Sequence, residues 1–90
     1  MRVATAIREK LTAALAPEGL EVIDDSHKHA GHAGARPQGE SHFTVRVVSA
    51  RFEGLNRVAR QRLVYGALKD ELETDIHALA IEARTPGEAA

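Results

Sequence analysis

Cysteine is absent from this 90-residue sequence. Its absence excludes disulfides, thiol catalysis and any metal cluster held by the chain's own thiolates. A metal bound here must therefore be coordinated by histidine, by carboxylates or by sulfur from another molecule. Aromatic residues make up only 3% of the chain, so aliphatic side chains must fill the core. So few rings also exclude base stacking as the main way of holding single-stranded nucleic acid.

Long apolar runs are absent as well. No stretch reaches the length of a membrane span, and the N-terminus lacks the apolar segment of a signal peptide, so a cytoplasmic location is expected. The formal net charge of −1 is not that of a basic nucleic-acid binder, although local patches can still bind. With 43% hydrophobic and 28% charged residues, the chain is predicted to form one small domain over residues 1–90.

Hydrophobic periodicity predicts five elements in the order α-β-β-α-β. Apolar residues recur every four positions from Val3 to Leu15, which is typical of an amphipathic helix, and Pro17 ends it. Asn56 is the expected N-cap of the second helix. The predicted ranges are a helix over 2–16, strands over 20–25 and 41–49, a helix over 56–72, a strand over 77–83 and a polar tail over 85–90.

Two amphipathic helices on one face of a three-stranded sheet would bury these apolar stripes. The first two strands are expected to be antiparallel, joined by a long hairpin loop, whereas the pairing of the third strand stays open. Phe43, Val45 and Val47 form the predicted inward face of the second strand. The predicted apolar line of the second helix consists of Val64, Leu68 and Leu72, supported by Leu63, Ala67 and Val58.

A glycine-rich segment of about residues 26–41 has neither helical nor strand periodicity. Four of the five histidines lie in this segment or directly after it, at the start of the second strand: His27, His29, His32 and His42. A flexible loop is predicted there. Imidazole is a good ligand for zinc, iron or copper, but a merely solvated loop fits the residues equally well. His77 shares the strand parity of Leu79, so a hydrogen-bonded histidine at the core edge is the favoured interpretation, and a metal ligand is the alternative. His42 is expected at the surface or behind the ligands.

No pattern of catalytic residues stands out, and a non-enzymatic protein is expected. The start of the second helix is basic, with Arg57, Arg60 and Arg62 close in sequence to Arg51. These side chains could contact phosphates. A solvated basic face, balanced by the acidic residues that follow, is the favoured interpretation of this cluster taken alone.

The sequence resembles the BolA family over nearly its whole length. The most specific pieces are Ser41-His42-Phe43, Val48-Ser49, Phe52-Glu53-Gly54, Arg60-x-Arg62-x-Val64-Tyr65 and Ile76-His77-Ala78-Leu79. The resemblance implies a class II KH-like α+β fold, with a three-stranded sheet and helices packed on one face. It also implies an adaptor in iron–sulfur or iron homeostasis that binds a monothiol glutaredoxin. Glutaredoxin would supply a cysteine to a shared [2Fe–2S] cluster, bound glutathione a second thiolate, and this chain histidine.

Carried over to this sequence, the family's C-terminal histidine ligand falls on His77. The second ligand belongs to the loop, where the family has His or Cys, and the order of preference is His32, His29 and His27. Some relatives regulate transcription through the turn and second helix, here Gly54 to Tyr65. That likeness makes DNA the alternative partner, with Arg57, Arg60 and Arg62 as its contacts. Whether the isolated chain forms a homodimer stays open.

Overall fold

The computed structural model describes residues 2–26 and 41–89. His27, His29 and His32, and with them most of the predicted histidine-rich loop, lie outside the described residues. The elements in chain order are α1 (Arg2–Leu15), β1 (Gly19–Asp24), β2 (His42–Val48), a 3₁₀ turn (Ala50–Phe52), α2 (Arg57–Ala67), α3 (Lys69–Thr74), β3 (Ala78–Arg84) and α4 (Pro86–Ala89).

Strand β2 is the centre of a three-stranded sheet of order β1-β2-β3. It pairs antiparallel with β1, with Gly19 opposite Val48, which confirms the predicted antiparallel pair. It pairs parallel with β3, with His42 opposite Ala78. A parallel neighbour requires a crossover connection, and α2 with α3 provide it. The mixed α+β architecture is therefore the predicted one, and the pairing of the third strand is now defined.

The core lies between one face of the sheet and the helices. Phe43, Val45 and Val47 are buried, which confirms the predicted inward face of β2. They pack with buried apolar residues of the helices and connections: Val3, Ala4, Ile7, Leu11, Leu15, Phe52, Val64, Leu68 and Ile76. On the opposite face of β2, the exposed Arg46 side chain pairs with Glu21 of β1 and Glu82 of β3. Such exposed ion pairs contribute little stability, so burial on the helical face holds the sheet.

The second predicted helix is two helices. Asn56 is the N-cap, and its Oδ1 accepts the Ala59 backbone N–H at 2.9 Å, as predicted. The helical backbone is interrupted at Leu68, where φ is −107° and ψ is 19°, and α3 then continues to Thr74. The prediction that Val58 and Leu63 add to the buried apolar line of the second helix was wrong, because these side chains are 55% and 41% exposed. Each lies about 100–120° around the helix axis from the buried Val64, so neither reaches the core.

The predicted polar tail contains a helical turn, Pro86–Ala89. The Thr85 hydroxyl accepts the Glu88 backbone N–H at 3.3 Å, and the Glu88 carboxylate accepts the Thr85 backbone N–H at 2.8 Å. This reciprocal pair is a capping box, with proline at the favoured first helical position. Thr85-Pro86-Gly87-Glu88 therefore carried a helix-start signal that the prediction of a tail overlooked.

Ser49 offers a test of how the end of the sheet is joined to α1. Its buried hydroxyl donates to the Leu15 carbonyl at 2.6 Å and accepts the Arg51 backbone N–H at 3.1 Å. Ser49→Ala is expected to lower the free energy of unfolding by about 1–3 kcal/mol, because a buried carbonyl loses its donor. Urea unfolding followed by circular dichroism measures this. The exposed control Thr5→Ala should change it by about 0.5 kcal/mol or less, and equal effects of the two changes would contradict the assignment.

Candidate metal site

Ser26 and Ser41 tie together the two ends of the segment that carries the loop histidines. The Ser26 hydroxyl oxygen accepts the backbone N–H of Ser41 at 2.9 Å and that of His42 at 3.2 Å. Both serines are buried, and the Ser26 N–H donates to the Asp24 carboxylate at 2.9 Å. The end of β1 and the start of β2 are therefore held at one point by polar contacts shielded from water. We call this point the neck.

His77 lies beside the neck because β3 begins there. The Ser41 carbonyl accepts the backbone N–H of His77 at 2.6 Å and that of Ala78 at 3.2 Å. The parallel register then places Ala78 opposite His42. Although its backbone is fixed in this way, His77 is exposed. The structure thus presents one accessible imidazole from a rigid position at the end of the sheet.

His42 is buried behind His77. Its exposed fraction is 6%, so the expectation of a surface position is corrected. Nδ1 of His42 is 2.9 Å from the Ser41 hydroxyl oxygen, and its ring centroid is 5.5 Å from that of His77, with 53° between the ring planes. Strand parity turns His42 away from the face of Phe43, as predicted, but the neck and His77 cover it. The alternative expectation, a place behind the candidate ligand His77, agrees with this geometry.

A cleft of about 220 Å³ opens next to His42, lined by Asp25, His42, Phe43, Ala78, Leu79 and Ala80. The Asp25 backbone N–H donates to the His42 carbonyl at 2.7 Å, and its carboxylate accepts the Thr44 hydroxyl. The small side chains of Ala78 and Ala80 leave room on the face of the sheet opposite the core. The sheet is therefore open to a partner on that side, next to the buried His42.

The donor set available here is incomplete as a metal centre. Within residues 2–26 and 41–89, no three His, Cys, Asp or Glu side chains are grouped so as to hold a metal ion. His77 offers a single exposed imidazole, and the chain has no cysteine. An exposed imidazole that is not part of a three-ligand group within the described ranges fits a site that is completed by other groups, and it does not fit a self-contained one.

The arginines predicted as phosphate contacts do not act as one cluster. Arg60 donates to both carboxylate oxygens of Glu88, at 2.6 and 3.1 Å. It also donates to the Leu55 carbonyl at 2.9 Å and to the Ala83 carbonyl at 3.2 Å, and its guanidinium lies 6.0 Å from the Phe52 ring centroid. Arg60 thus joins α2, β3 and α4.

The other basic side chains divide in the same way between structural and outward positions. Arg51 donates to the Ala14 carbonyl at 2.7 Å. Arg57 and Arg62 are exposed, and of the three predicted contacts these two are best placed to meet a phosphate backbone. Sequence spacing alone could not separate them from Arg60, because its partner Glu88 lies 28 positions along the chain.

Comparison with known proteins identifies the family. The family described as BolA-like protein matches residues 11–88. The chain belongs to the BolA family. BolA-like proteins are non-enzymatic, so the expectation that this chain is not an enzyme is confirmed by its family.

Individual BolA relatives are similar over most of this chain. Chloroplastic BOLA1 of Arabidopsis thaliana is 50% identical over 88 residues, covering 96% of this chain and 55% of that protein. Human BolA-like protein 1 is 52% identical over 86 residues, covering 96% of this chain and 60% of that protein. The chain therefore spans little more than half the length of these two relatives.

The fold agrees with solved BolA structures. The BolA domain of SufE1 from Arabidopsis thaliana matches with a TM-score of 0.85 at 49% identity, over 94% of this chain and 93% of that one. No helix within the two described ranges is long and apolar enough to cross a membrane. The cytoplasmic location stays a prediction, since the Arabidopsis BOLA1 protein is named chloroplastic.

The Arg60–Glu88 pair makes a prediction about pH. Hydrogen bonds from Arg60, and then from the Thr85 backbone, lower the pKa of the Glu88 carboxyl from 4.5 to about 2. A carboxyl with a lowered pKa stabilises the fold above its unfolded pKa, and this stabilisation is lost as the pH falls towards the folded pKa. Glu88→Gln should therefore be less stable than the wild type at pH 7, and the difference should shrink between about pH 4.5 and pH 2.

Urea unfolding of both proteins across this pH range measures the difference. Glu53, an exposed carboxylate after the 3₁₀ turn, provides the control, and Glu53→Gln should change the free energy of unfolding at pH 7 by about 0.5 kcal/mol or less. A Glu88→Gln difference that stayed constant down to pH 2 would show that the carboxylate is not held by Arg60 in solution.

Proposed function

We propose that this BolA-like protein is an adaptor that binds a monothiol glutaredoxin and co-ligates a [2Fe–2S] cluster through His77. Its role would lie in iron–sulfur or iron homeostasis. The observation that carries the proposal is the exposed imidazole of His77, fixed beside the neck in a chain without cysteine. The glutaredoxin cysteine and the glutathione thiol would supply the sulfur ligands that this chain lacks.

The rigidity of the His77 backbone suits it for this role. Ligands on regular elements, supported by hydrogen bonds, are placed more accurately than ligands on loops. The His77 backbone N–H donates to Ser41, which is itself fixed by the buried hydroxyl of Ser26. His42 packs against the ring of His77 from inside. The imidazole is therefore supported on its protein side and open on the other.

The loop predicted between Ser26 and Ser41 is proposed to supply the second histidine ligand. His32 is preferred to His29, and His29 to His27. Ser26 precedes His29 by three residues and His32 by six. An extended chain covers about 3.5 Å per residue, so either histidine has enough chain to approach His77. When bound, a cluster with imidazole ligands has a higher reduction potential than one with thiolates alone, and its ligation depends on pH.

Substitution of His77 tests the proposal. His77→Ala should leave the thermal unfolding of the isolated chain nearly unchanged, because the imidazole is exposed and the backbone hydrogen bond to Ser41 is retained. In the complex with a monothiol glutaredoxin and glutathione, the same change should alter the visible absorption and circular dichroism and speed cluster loss. Lys69→Ala, an exposed change on α3, is the control and should keep the wild-type spectrum.

Two outcomes separate ligation from partner binding. If His77→Ala gives the wild-type spectrum and cluster lifetime, His77 is not a ligand. If the wild-type chain does not co-elute with glutaredoxin at all, the adaptor proposal itself fails. His29→Ala and His32→Ala, compared in the same assay, assign the loop ligand, because the change at the true ligand should reproduce the effect of His77→Ala.

The alternative proposal, a DNA-binding regulator, rests on the exposed Arg57 and Arg62. Removing one side chain that binds a phosphate should reduce the slope of log affinity against log salt by about one. Arg57→Ala and Arg62→Ala should therefore each weaken duplex binding and flatten its salt dependence, as measured by fluorescence anisotropy. Arg60→Ala is a poor probe because it also releases Glu88. DNA binding with an unchanged salt slope in both variants would exclude α2 as the contact.

A further inference from the structure

Strand β3 lies at an edge of the sheet because, among the described strands, it pairs with β2 alone. The Ala78 backbone N–H and the Arg84 carbonyl are hydrogen-bonded to the residues directly before and after β2. In a parallel pair the residues that bond to the neighbour alternate along the strand, so the even-numbered residues of β3 face β2. The backbone N–H and C=O groups of the odd-numbered residues point to the outer edge: Leu79, Ile81 and Ala83.

This outer edge of β3 offers both hydrogen-bond donors and acceptors. The Ala83 carbonyl accepts a hydrogen bond from Arg60 at 3.2 Å. Within residues 2–26 and 41–89, the other edge groups have no hydrogen-bond partner: the N–H groups of Leu79, Ile81 and Ala83, and the carbonyls of Leu79 and Ile81. At about 3.3 Å per residue they extend over roughly 13 Å. A row of unpaired edge groups is a template for pairing with another chain.

A groove of about 480 Å³ lies between β3 and the start of α2. Its lining includes the half-buried apolar side chains of Leu55, Ile81 and Ala83, and also Arg60. Because Arg60 reaches the Ala83 carbonyl, which points to the outer edge, the groove that both residues line opens at that edge. An extended segment laid along β3 would therefore enter the groove and cover apolar surface.

The unpaired charge in this groove is positive. Glu82 is paired with two arginines, at 2.7 and 3.4 Å, and Glu88 is paired with Arg60 at 2.6 Å. Arg57 also lines the groove and is exposed, and its guanidinium has no ion pair within the two described ranges. The first turn of α2, to which Arg57 belongs, contains no acidic residue. A carboxylate from another molecule would complement the charge at this position.

We propose that the outer edge of β3 binds an extended segment of a partner protein as an added strand, with an acidic side chain of that segment on Arg57. Residues of the added strand opposite Leu79 and Ile81 exchange backbone hydrogen bonds with them. An apolar side chain of the segment covers Leu55. The proposal does not depend on cluster binding, because His77 precedes β3 and does not line the groove.

The mixture of donors and acceptors at the edge favours a polypeptide over the other possible occupants. The phosphates of a nucleic acid would accept from the N–H groups, but they offer no donor to the carbonyls of Leu79 and Ile81. A second copy of this chain would add its own β3, but the acidic residue of that strand, Glu82, is already paired. Such a copy would bring a second unpaired Arg57 to the contact.

Amide exchange and proline substitution test the edge assignment in the isolated chain. By nuclear magnetic resonance, the N–H groups of Leu79, Ile81 and Ala83 should exchange about tenfold or more faster than those of Ala80 and Glu82, which face β2. Ala83→Pro removes an unpaired N–H and should fold, whereas Ala80→Pro removes a hydrogen bond to β2 and should lower the Tm by several degrees more. Equal protection of the two sets of amides would show that the edge is covered and would overturn the proposal.

Peptide selection tests the occupant. The probe is a phage-displayed library of random peptides of about nine residues, and the selected sequences are synthesised and measured by fluorescence anisotropy. They should contain Asp or Glu, and they should protect the Leu79, Ile81 and Ala83 amides from exchange. Ala83→Pro and Arg57→Glu should each raise the dissociation constant about tenfold or more. Lysine in place of the acidic residue of the peptide should restore binding to Arg57→Glu, and the exposed control Arg8→Glu should bind like the wild type.

The same measurements define the results that would overturn the proposal. Selection might return no peptide that protects the edge amides, or peptides whose affinity is unchanged by both Ala83→Pro and Arg57→Glu. Protection of these amides on concentrating the chain alone to about 1 mM would assign the edge to a second copy, and protection by duplex DNA would assign it to nucleic acid. Since the isolated chain is used throughout, failure here is distinct from failure of the cluster assays.

Discussion

The carbonyl oxygen of Ser41 accepts hydrogen bonds from the backbone N–H groups of His77 and Ala78, and the position of the whole candidate site depends on this contact. It sets where β3 starts along β2, because a parallel neighbour has no tight turn to fix its register. Ser41 is held in turn by the buried hydroxyl of Ser26. One polar junction thus joins the end of β1, the start of β2 and the start of β3. The exposed imidazole at that junction takes its place from the backbone.

The apolar core explains why this junction is rigid. Phe43 and Val45, which follow the neck on β2, are almost fully buried against α1 and α2. At the other end of the same strand, Ser49 binds the last carbonyl of α1. The central strand is therefore fixed at both ends and along one face. The proposed adaptor role needs little more than this, since it requires only that an imidazole and a contact surface be held in a constant geometry.

Much of the frame could be predicted from local patterns. The four-residue period of α1 and the alternation of β2 each report which face is buried, and both were confirmed. The parallel pairing of β3 was not predictable, because strand order depends on the path of the crossover and not on any local pattern. Val58 and Leu63 were misplaced for a related reason, since an apolar side chain at helical spacing says nothing about whether a partner covers it. The break at Leu68 also has no proline to mark it.

The site was predicted in part. Strand parity put His77 on the inward face of the third strand with Leu79, but the structure shows it exposed, just before β3 and beside the neck. Parity also turned His42 away from Phe43, but it could not reveal that Ser26, Ser41 and His77 cover that position. The sequence did not separate the structural Arg60 from the exposed Arg57 and Arg62, because Arg60 pairs with Glu88, which lies 28 positions further along the chain. A capping box at Thr85 and Glu88 was the only local sign that the last residues are structured.

Pulsed electron paramagnetic resonance of the reduced complex with glutaredoxin would show directly whether a histidine of this chain binds the cluster. The chain would be labelled with ¹⁵N in its histidines alone and combined with unlabelled monothiol glutaredoxin and glutathione. If His77 binds the cluster, the spectrum should show a ¹⁵N hyperfine coupling of the size expected for a directly bound imidazole, and the coupling should be lost or reduced in His77→Ala. A cluster that forms in the complex with no such coupling, or with a coupling unaffected by His77→Ala, would contradict ligation by His77.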